Sequence, residues 1–205
     1  MTGNMSDTEQ IKKRFDRISS KFEVMDHFVK EDWRKELLKG VHGHILEVGV
    51  GLGTNFKYYP QEATVKGIDF SPKMLERARE NLDSAAANIE LFEMDVENLE
   101  FEDNSFDYIV STCVFCSVPN PVKGFKELRR VIKPNGKIVM LEHMRSENEI
   151  IGKVLDFFNP VSVNLIGVNI NRKTLSNLYQ ANLEVDEQEF LMTSVMRKLV
   201  LSPNK

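Results

Sequence analysis

Residues 45–69 constrain this chain more than any other stretch. An apolar run, Ile45-Leu46-Glu47-Val48, leads directly into Gly49, Gly51 and Gly53, and a second apolar run, Val65 to Ile68, ends in Asp69. A strand, a glycine turn, a helical crossover and an acid-tipped second strand make a nucleotide-binding half of a doubly wound sheet. Glycines let the backbone take positive φ and pass close beneath a ligand. A carboxylate at the tip of the second strand can accept hydrogen bonds from a ribose diol. The dinucleotide pattern G-x-G-x-x-G asks for glycine at position 54, where this chain has Thr54. Glu47 also places an acid just before the turn, which suits a cationic ligand and repels a pyrophosphate. A pyrophosphate would instead want a helix N-terminus and its open N–H groups.

With 205 residues, 41% of them hydrophobic and 28% charged, the chain has the size and composition of one α/β domain with an ordinary core. The net charge of −4 offers no basic excess for a phosphate backbone, so nucleic-acid partners are not expected. No apolar run reaches spanning length, and the first residues lack the apolar core of a secretion signal. Two cysteines do not make a disulfide framework. The expected compartment is the cytoplasm.

Hydrophobic spacing orders the elements. Ile11, Phe15, Ile18, Phe22, Met25, Val29, Trp33 and Leu37 form one helical stripe, in one helix or two, which Gly40 and Gly43 end. Residues 1–40 therefore read as a helical arm or lid and 41–205 as the ligand-binding domain. Strands are expected at 44–49, 64–69, 89–92, 106–112 and 137–142. A short helix is expected from Thr54 to Pro60. A longer one runs from Ser71, a good cap before Pro72, to about residue 82. Another covers 122–132 and stops at Pro134-Asn135-Gly136, a turn signal. Residues 150–170 are apolar with no clear period. A helix at 174–181 precedes two strands near 184–191 and 194–201, close enough to pair antiparallel. The alternation predicts a doubly wound, mostly parallel α/β sheet of seven strands with an antiparallel last strand.

Several segments, taken in order, resemble class I S-adenosylmethionine (SAM) methyltransferases of the ubiquinone/menaquinone-biosynthesis type, which have a Rossmann-like fold. These are FDRISSKFEVMD at 15–26, ILEVGVGLG at 45–53, GIDFSPKMLERAR at 67–79, MDVENLEFEDNSFDYIVS at 94–111 and ELRRVIKPNGKIVMLE at 127–142. EVGVG, CSVPNP and the LEH ending also resemble phosphatidylethanolamine N-methyltransferases, and the segment NPVSVNLIGVNINRKTLSNLYQANL is similar to small thiol methyltransferases. The resemblance implies SAM as cofactor, S-adenosylhomocysteine as product, and a small apolar or lipid-like acceptor methylated on carbon, nitrogen or sulfur. It implies that Glu47 and Gly49, Gly51 and Gly53 hold the amino-acid end of SAM, and that Asp69 binds the ribose. Met74 would pack on the adenine, and Asp95 with the backbone of Val96 would read its amino group. Thr112 and Cys113 would stand near the sulfonium, and Phe15 and Phe22 would belong to the lid.

His143 ends the fifth strand on the carboxyl edge, where it could act as a base or orient the acceptor. Asn171 and Arg172 could face the acceptor. Cys113 and Cys116 form a C-x-x-C with no second pair, which reads as packing, and no metal site is expected. The base-rich start of the arm (Lys12, Lys13, Arg14 and Arg17) could touch an anionic bilayer at the inner membrane face when the lid opens. Two other readings stay open: a SAM-binding regulator without chemistry, and an NAD-dependent dehydrogenase, against which Thr54 speaks.

Overall fold

The computed structural model of the protein describes Lys13, Asp16 and residues 26–205, with Ile166 lacking a described side chain. Phe15 and Phe22, expected in the lid, lie outside these residues, as does most of the arm's apolar stripe. The described end of the arm is α1 (Glu31–Leu38), an eight-residue helix that buries Arg34, Leu37 and Leu38 at helical spacing.

Seven strands form one sheet in the order β3-β2-β1-β4-β5-β7-β6. β1 (His44–Val48), β2 (Thr64–Asp69), β3 (Asn88–Glu93), β4 (Phe106–Thr112) and β5 (Ile132–His143) are parallel. β7 (Met196–Pro203) runs antiparallel to β5 and pairs antiparallel with β6 (Leu183–Met192). β1 is buried at four of its five positions, as a strand covered on both faces must be. Alternate residues feed two cores. Leu46, Val48, Ile109, Ile138 and Met140 pack on one side with Phe125 and Leu128 of α3 (Pro121–Val131). Ile45, Val110, Val139 and Leu141 pack on the other with Leu37 and Leu38 of α1 and Leu75 and Ala78 of α2 (Pro72–Glu80). Each fully buried aliphatic side chain contributes about 1.5–3 kcal/mol. β6, the last strand in the sheet, is exposed along most of its length and carries Glu184, Asp186, Glu187 and Glu189, charges that blunt an open edge.

Ser71 caps α2 by accepting from the Met74 N–H at 3.2 Å, with Pro72 in the first turn, as its sequence predicts. Other expectations need correction. The short helix after the glycine loop is a single 3₁₀ turn, Phe56–Tyr58. Pro134-Asn135-Gly136 does not separate helix from strand. β5 begins at Ile132, paired with Phe106, and resumes pairing at Lys137 with Tyr108, so residues 133–136 form a bulge opposite Asp107. Only a glycine fits at position 136, where a Cβ would meet the Asp107 carbonyl oxygen at 2.8 Å. The irregular stretch at 150–170 is in fact mostly one helix, α4 (Glu149–Ile166). Asn148 caps its start, accepting from the Ile150 and Ile151 N–H groups, and Gly167, at φ +76°, ends it in the left-handed conformation. α5 (Thr174–Gln180) then leads to β6.

Candidate functional site

The sheet order reverses between β1 and β4, and in such sheets ligands bind beyond the carboxyl ends of the strands at that point. A shallow, partly open crevice lies at that point. Asp69 and Phe70 at the tip of β2, Asp95 and Val96 after β3, and Val114 and Val118 after β4 are among its lining residues.

The glycine loop is built by backbone demand. Gly49, Gly51 and Gly53 sit at φ +65°, +54° and +74°. A Cβ on Gly49 would lie 2.5 Å from a Val114 methyl. The N–H groups of Gly49 and Val50 both donate to the Ile68 carbonyl, at 2.8 and 3.0 Å, and the Gly53 N–H donates to the Val50 carbonyl. The Gly51 N–H donates to Asp69 Oδ2 at 3.0 Å, and the Ser71 N–H to Asp69 Oδ1 at 2.9 Å. Four of the loop's donors are thus spent inside the protein, and only a 3₁₀ turn follows it. A pyrophosphate would find no α-helix N-terminus here. A ribose diol needs only an acceptor, and the Asp69 carboxylate retains lone-pair capacity beyond its bonds to the Gly51, Phe70 and Ser71 backbone. Burial pushes the Asp69 carboxyl up to about 6, which leaves it mostly ionised at neutral pH.

Asp95 lines the crevice and also caps the next turn, its Oδ1 accepting from the Glu97 N–H at 2.9 Å. Met74 does not line the crevice. It is buried on α2 against Leu52 and Phe70, and Phe70, which sequence reasoning passed over, presents the aromatic surface instead.

Glu47 is likewise turned into the protein. Its Oε1 accepts from Asn55 Nδ2 at 2.8 Å and its Oε2 from the Tyr59 hydroxyl at 3.0 Å. Asn55 also donates to Thr112 Oγ1 at 3.2 Å and accepts from Arg34 Nη1 at 2.8 Å, and Arg34 pairs with Asp26. Thr54, the residue that breaks the dinucleotide pattern, donates to Asp26 Oδ2 at 2.7 Å. A buried polar chain therefore ties the end of the arm to the glycine loop and to the mouth of β4. Asp16, from the arm itself, reaches the same region and accepts from Ser71 Oγ at 2.6 Å. Burial pushes the Glu47 carboxyl up to about 7, with the Asn55 and Tyr59 bonds acting against it.

The segment after β4 forms the opposite wall and is held by three anchors. Cys113 leaves the strand at φ +56°, a conformation that non-glycine residues take at a cost. Glu142, fully buried on β5, accepts through Oε1 from Ser111 Oγ at 3.1 Å and from the Val114 and Phe115 N–H groups at 3.0 and 3.2 Å. The Phe115 ring stacks on Phe125 of α3 at 3.8 Å. Arg172 Nη2 donates to the carbonyls of Cys116 and Val118, at 3.3 and 2.8 Å. Arg172 is therefore a brace for this wall, and Asn171, which donates to Asp156 at 2.9 Å, braces α4. Neither was expected in that role. Glu142 Oε2 is enclosed without a partner, and burial pushes this carboxyl up to about 7. Glu142 was missed, although an acid inside the apolar run IVMLEH gives the same signal as Glu47 inside ILEV.

Cys113 and Cys116 are free thiols. Burial pushes Cys113 up to about 12 and Cys116 well above its ordinary value, so neither is a thiolate at neutral pH. His143 is half-buried at the end of β5, its backbone N–H against the Cys113 thiol, and its Nδ1 is enclosed without a partner. Burial holds its pKa below the usual value, so the ring is neutral at pH 7. His143 is not among the residues that line the crevice.

Residues 46–140 match a family model described as a methyltransferase domain. A demethylmenaquinone methyltransferase of Staphylococcus haemolyticus is 36% identical over 154 residues, 69% of this chain and 64% of that protein. A phosphatidylethanolamine N-methyltransferase of Cereibacter sphaeroides is 39% identical over 103 residues, 49% of this chain and 51% of that protein. The matched region thus spans less than two thirds of the length of either relative. The crystal structure of a SAM-dependent methyltransferase from Thermotoga maritima shares the fold at a TM-score of 0.68 and 18% identity, covering 94% of this chain and 99% of that one. On domain, relatives and fold together, the chain carries a methyltransferase domain over residues 46–140 and is similar to class I SAM-dependent methyltransferases.

Proposed function

We propose that this chain transfers a methyl group from SAM to a small lipid-like acceptor. The observation that carries the reading is the glycine loop. The N–H groups of Gly49, Val50, Gly51 and Gly53 are taken by Ile68, Val50 and Asp69 and no α-helix starts at the loop, which suits a ribose held by Asp69 better than a pyrophosphate. That speaks against an NAD-dependent dehydrogenase.

Bound SAM would supply an electrophilic methyl on a cationic sulfur that is already a good leaving group. Asp69 would accept from the ribose hydroxyls. Phe70, Val96 and Val118 would enclose the base, and Asp95 Oδ2, which takes no hydrogen bond among the described residues, would accept from its amino group. Thr112 and Cys113 would border the sulfur. Glu47, acting through Asn55, would be a positioning residue for the loop and for Thr112. The main task of the chain is orientation, which can contribute on the order of 7–11 kcal/mol. A neutral His143 could take a proton from the acceptor. That favours an acceptor that must lose one, such as a quinol hydroxyl or a thiol, over an amine that is already neutral. Phe15 and Phe22 would close the site from the arm.

The similar proteins are named for a demethylated quinone and a phospholipid amine, and both acceptors are lipid-like. The test is incorporation of labelled methyl into a demethylated quinol, phosphatidylethanolamine and an alkyl thiol, with S-adenosylhomocysteine release measured in parallel. Turnover of the quinol, abolished in His143→Ala with SAM affinity unchanged, supports the reading. SAM binding with no product from any acceptor would instead favour a regulator without chemistry.

A further inference from the structure

α4 is apolar on its outer face. Ile150, Val154, Phe157, Phe158, Val161 and Leu165 fall on its outer side, and each is 50–77% exposed. The side turned to the protein is only partly buried and mixes the apolar Ile151, Leu155 and Val163 with polar anchors. Asn159 Oδ1 accepts from the Ile170 N–H at 2.9 Å, and Ser162 Oγ donates to the Val168 carbonyl at 2.8 Å. A surface helix ordinarily turns polar residues outward. The charges on α4 are already matched, Lys153 with Glu149 at 3.5 Å and Asp156 with Arg145 at 2.9 Å, and residues 157–166 carry none.

From these features we infer that the outer face of α4 docks on the surface of a phospholipid bilayer. The six side chains expose on the order of 600 Å² of apolar surface. That is at the top of the range for the largest patch of an ordinary monomer. With its charges paired within the protein, the face needs no anionic lipid, and its two adjacent phenylalanines suit the boundary between headgroups and acyl chains. Its position fits delivery of an acceptor. Asn159 Nδ2 donates to Asn169 Oδ1 at 3.4 Å, and both the Asn169 N–H and its Nδ2 donate to the Cys116 carbonyl, at 2.9 and 3.1 Å. Two hydrogen-bond steps thus connect the inner side of α4 to the segment that forms the wall of the crevice. No helix among the described residues is long and apolar enough to cross a membrane, so the contact is a surface one. The choice of lipid rather than protein as occupant rests on the lipid-acceptor reading above, and it moves the membrane contact from the arm to α4.

The test is co-sedimentation of the full chain with vesicles of phosphatidylcholine and phosphatidylethanolamine, comparing the parent chain with Phe157→Ser/Leu165→Ser. The parent should partition onto the vesicles, and the double variant should do so at least tenfold less, with SAM affinity by calorimetry unchanged. A parent chain that stays in the supernatant, or a variant that sediments equally, overturns the inference. So does a dimer of the parent in analytical ultracentrifugation that the same substitutions dissolve, since the occupant would then be a second copy. Vesicle binding lost with the substitutions in a chain that methylates no acceptor would keep the docking and remove the methyl-transfer reading.

Discussion

Replacing Glu142 with Gln should stabilise the protein at pH 8 relative to its effect at pH 5. The Glu142 carboxyl is fully buried, and burial raises it from 4.5 to about 7. The folded chain therefore holds this proton more tightly than the unfolded chain does. The stability that this contributes is fully present below about pH 4.5 and is lost as pH rises through about 7. At 1.36 kcal/mol per unit, integration of the two titrations makes the wild type lose about 2–3 kcal/mol between pH 5 and pH 8 through this one group. Gln keeps the Oε1 acceptor for Ser111, Val114 and Phe115, and puts its amide nitrogen where Oε2 already lacks a partner. It does not titrate. The difference in unfolding free energy, variant minus wild type, should therefore rise by about 2–3 kcal/mol from pH 5 to pH 8. Urea denaturation of both proteins at the two pH values measures this directly, and the other buried carboxylates, Glu47 and Asp69, cancel in the comparison. A difference that stays flat, or that moves the other way, would refute the claim that Glu142 holds the post-β4 wall as a carboxyl reluctant to ionise.

The other predictions concern the cofactor side. Asp69→Ala should weaken SAM binding at least tenfold by calorimetry, a loss of about 1.4 kcal/mol or more, and unchanged affinity would mean that the sugar lies elsewhere. In the wild type, the same affinity should decline as pH falls through about 6, where Asp69 takes up its proton. Gly49→Ala should cost on the order of 1–3 kcal/mol in denaturant unfolding, because the new Cβ has positive φ and would meet Val114 at 2.5 Å. Asn55→Ala removes one hydrogen-bond partner each from Glu47, Arg34 and Thr112, and should lower stability by about 3 kcal/mol. A variant that melts with the wild type would show that this buried chain does not hold the loop.

The parts legible in the sequence were those with a local cause. A glycine that must take positive φ, an acid at the tip of an apolar run, and a Ser-Pro start to a helix each declare themselves within a few residues. Gly49, Asp69 and Ser71 stand where their neighbours implied. Roles that depend on a distant partner were not legible. Met74 and Phe70 are four residues apart, and only the rotation of α2 beneath the β2 tip decides that Phe70 lines the crevice while Met74 is buried on α2. Arg172 becomes a brace because its segment returns beside Cys116 and Val118, more than fifty positions earlier in the chain. α4 escaped recognition because it is apolar on both its inner and its outer side, which erases the helical period.

By itself, the order of the residues determined a doubly wound sheet with a nucleoside crevice after its first strand, because strand period, turn conformation and helix capping are set within a few peptide units. Tertiary structure alone decided which carboxylates are spent on the protein and which remain for a ligand. An acid in an apolar strand reads the same whether its oxygens meet Asn55 and Tyr59, as those of Glu47 do, or the backbone of a loop thirty residues earlier, as Oε1 of Glu142 does. Hydrogen bonds act over about 3 Å, and which groups come within that distance is settled only when the strands have paired.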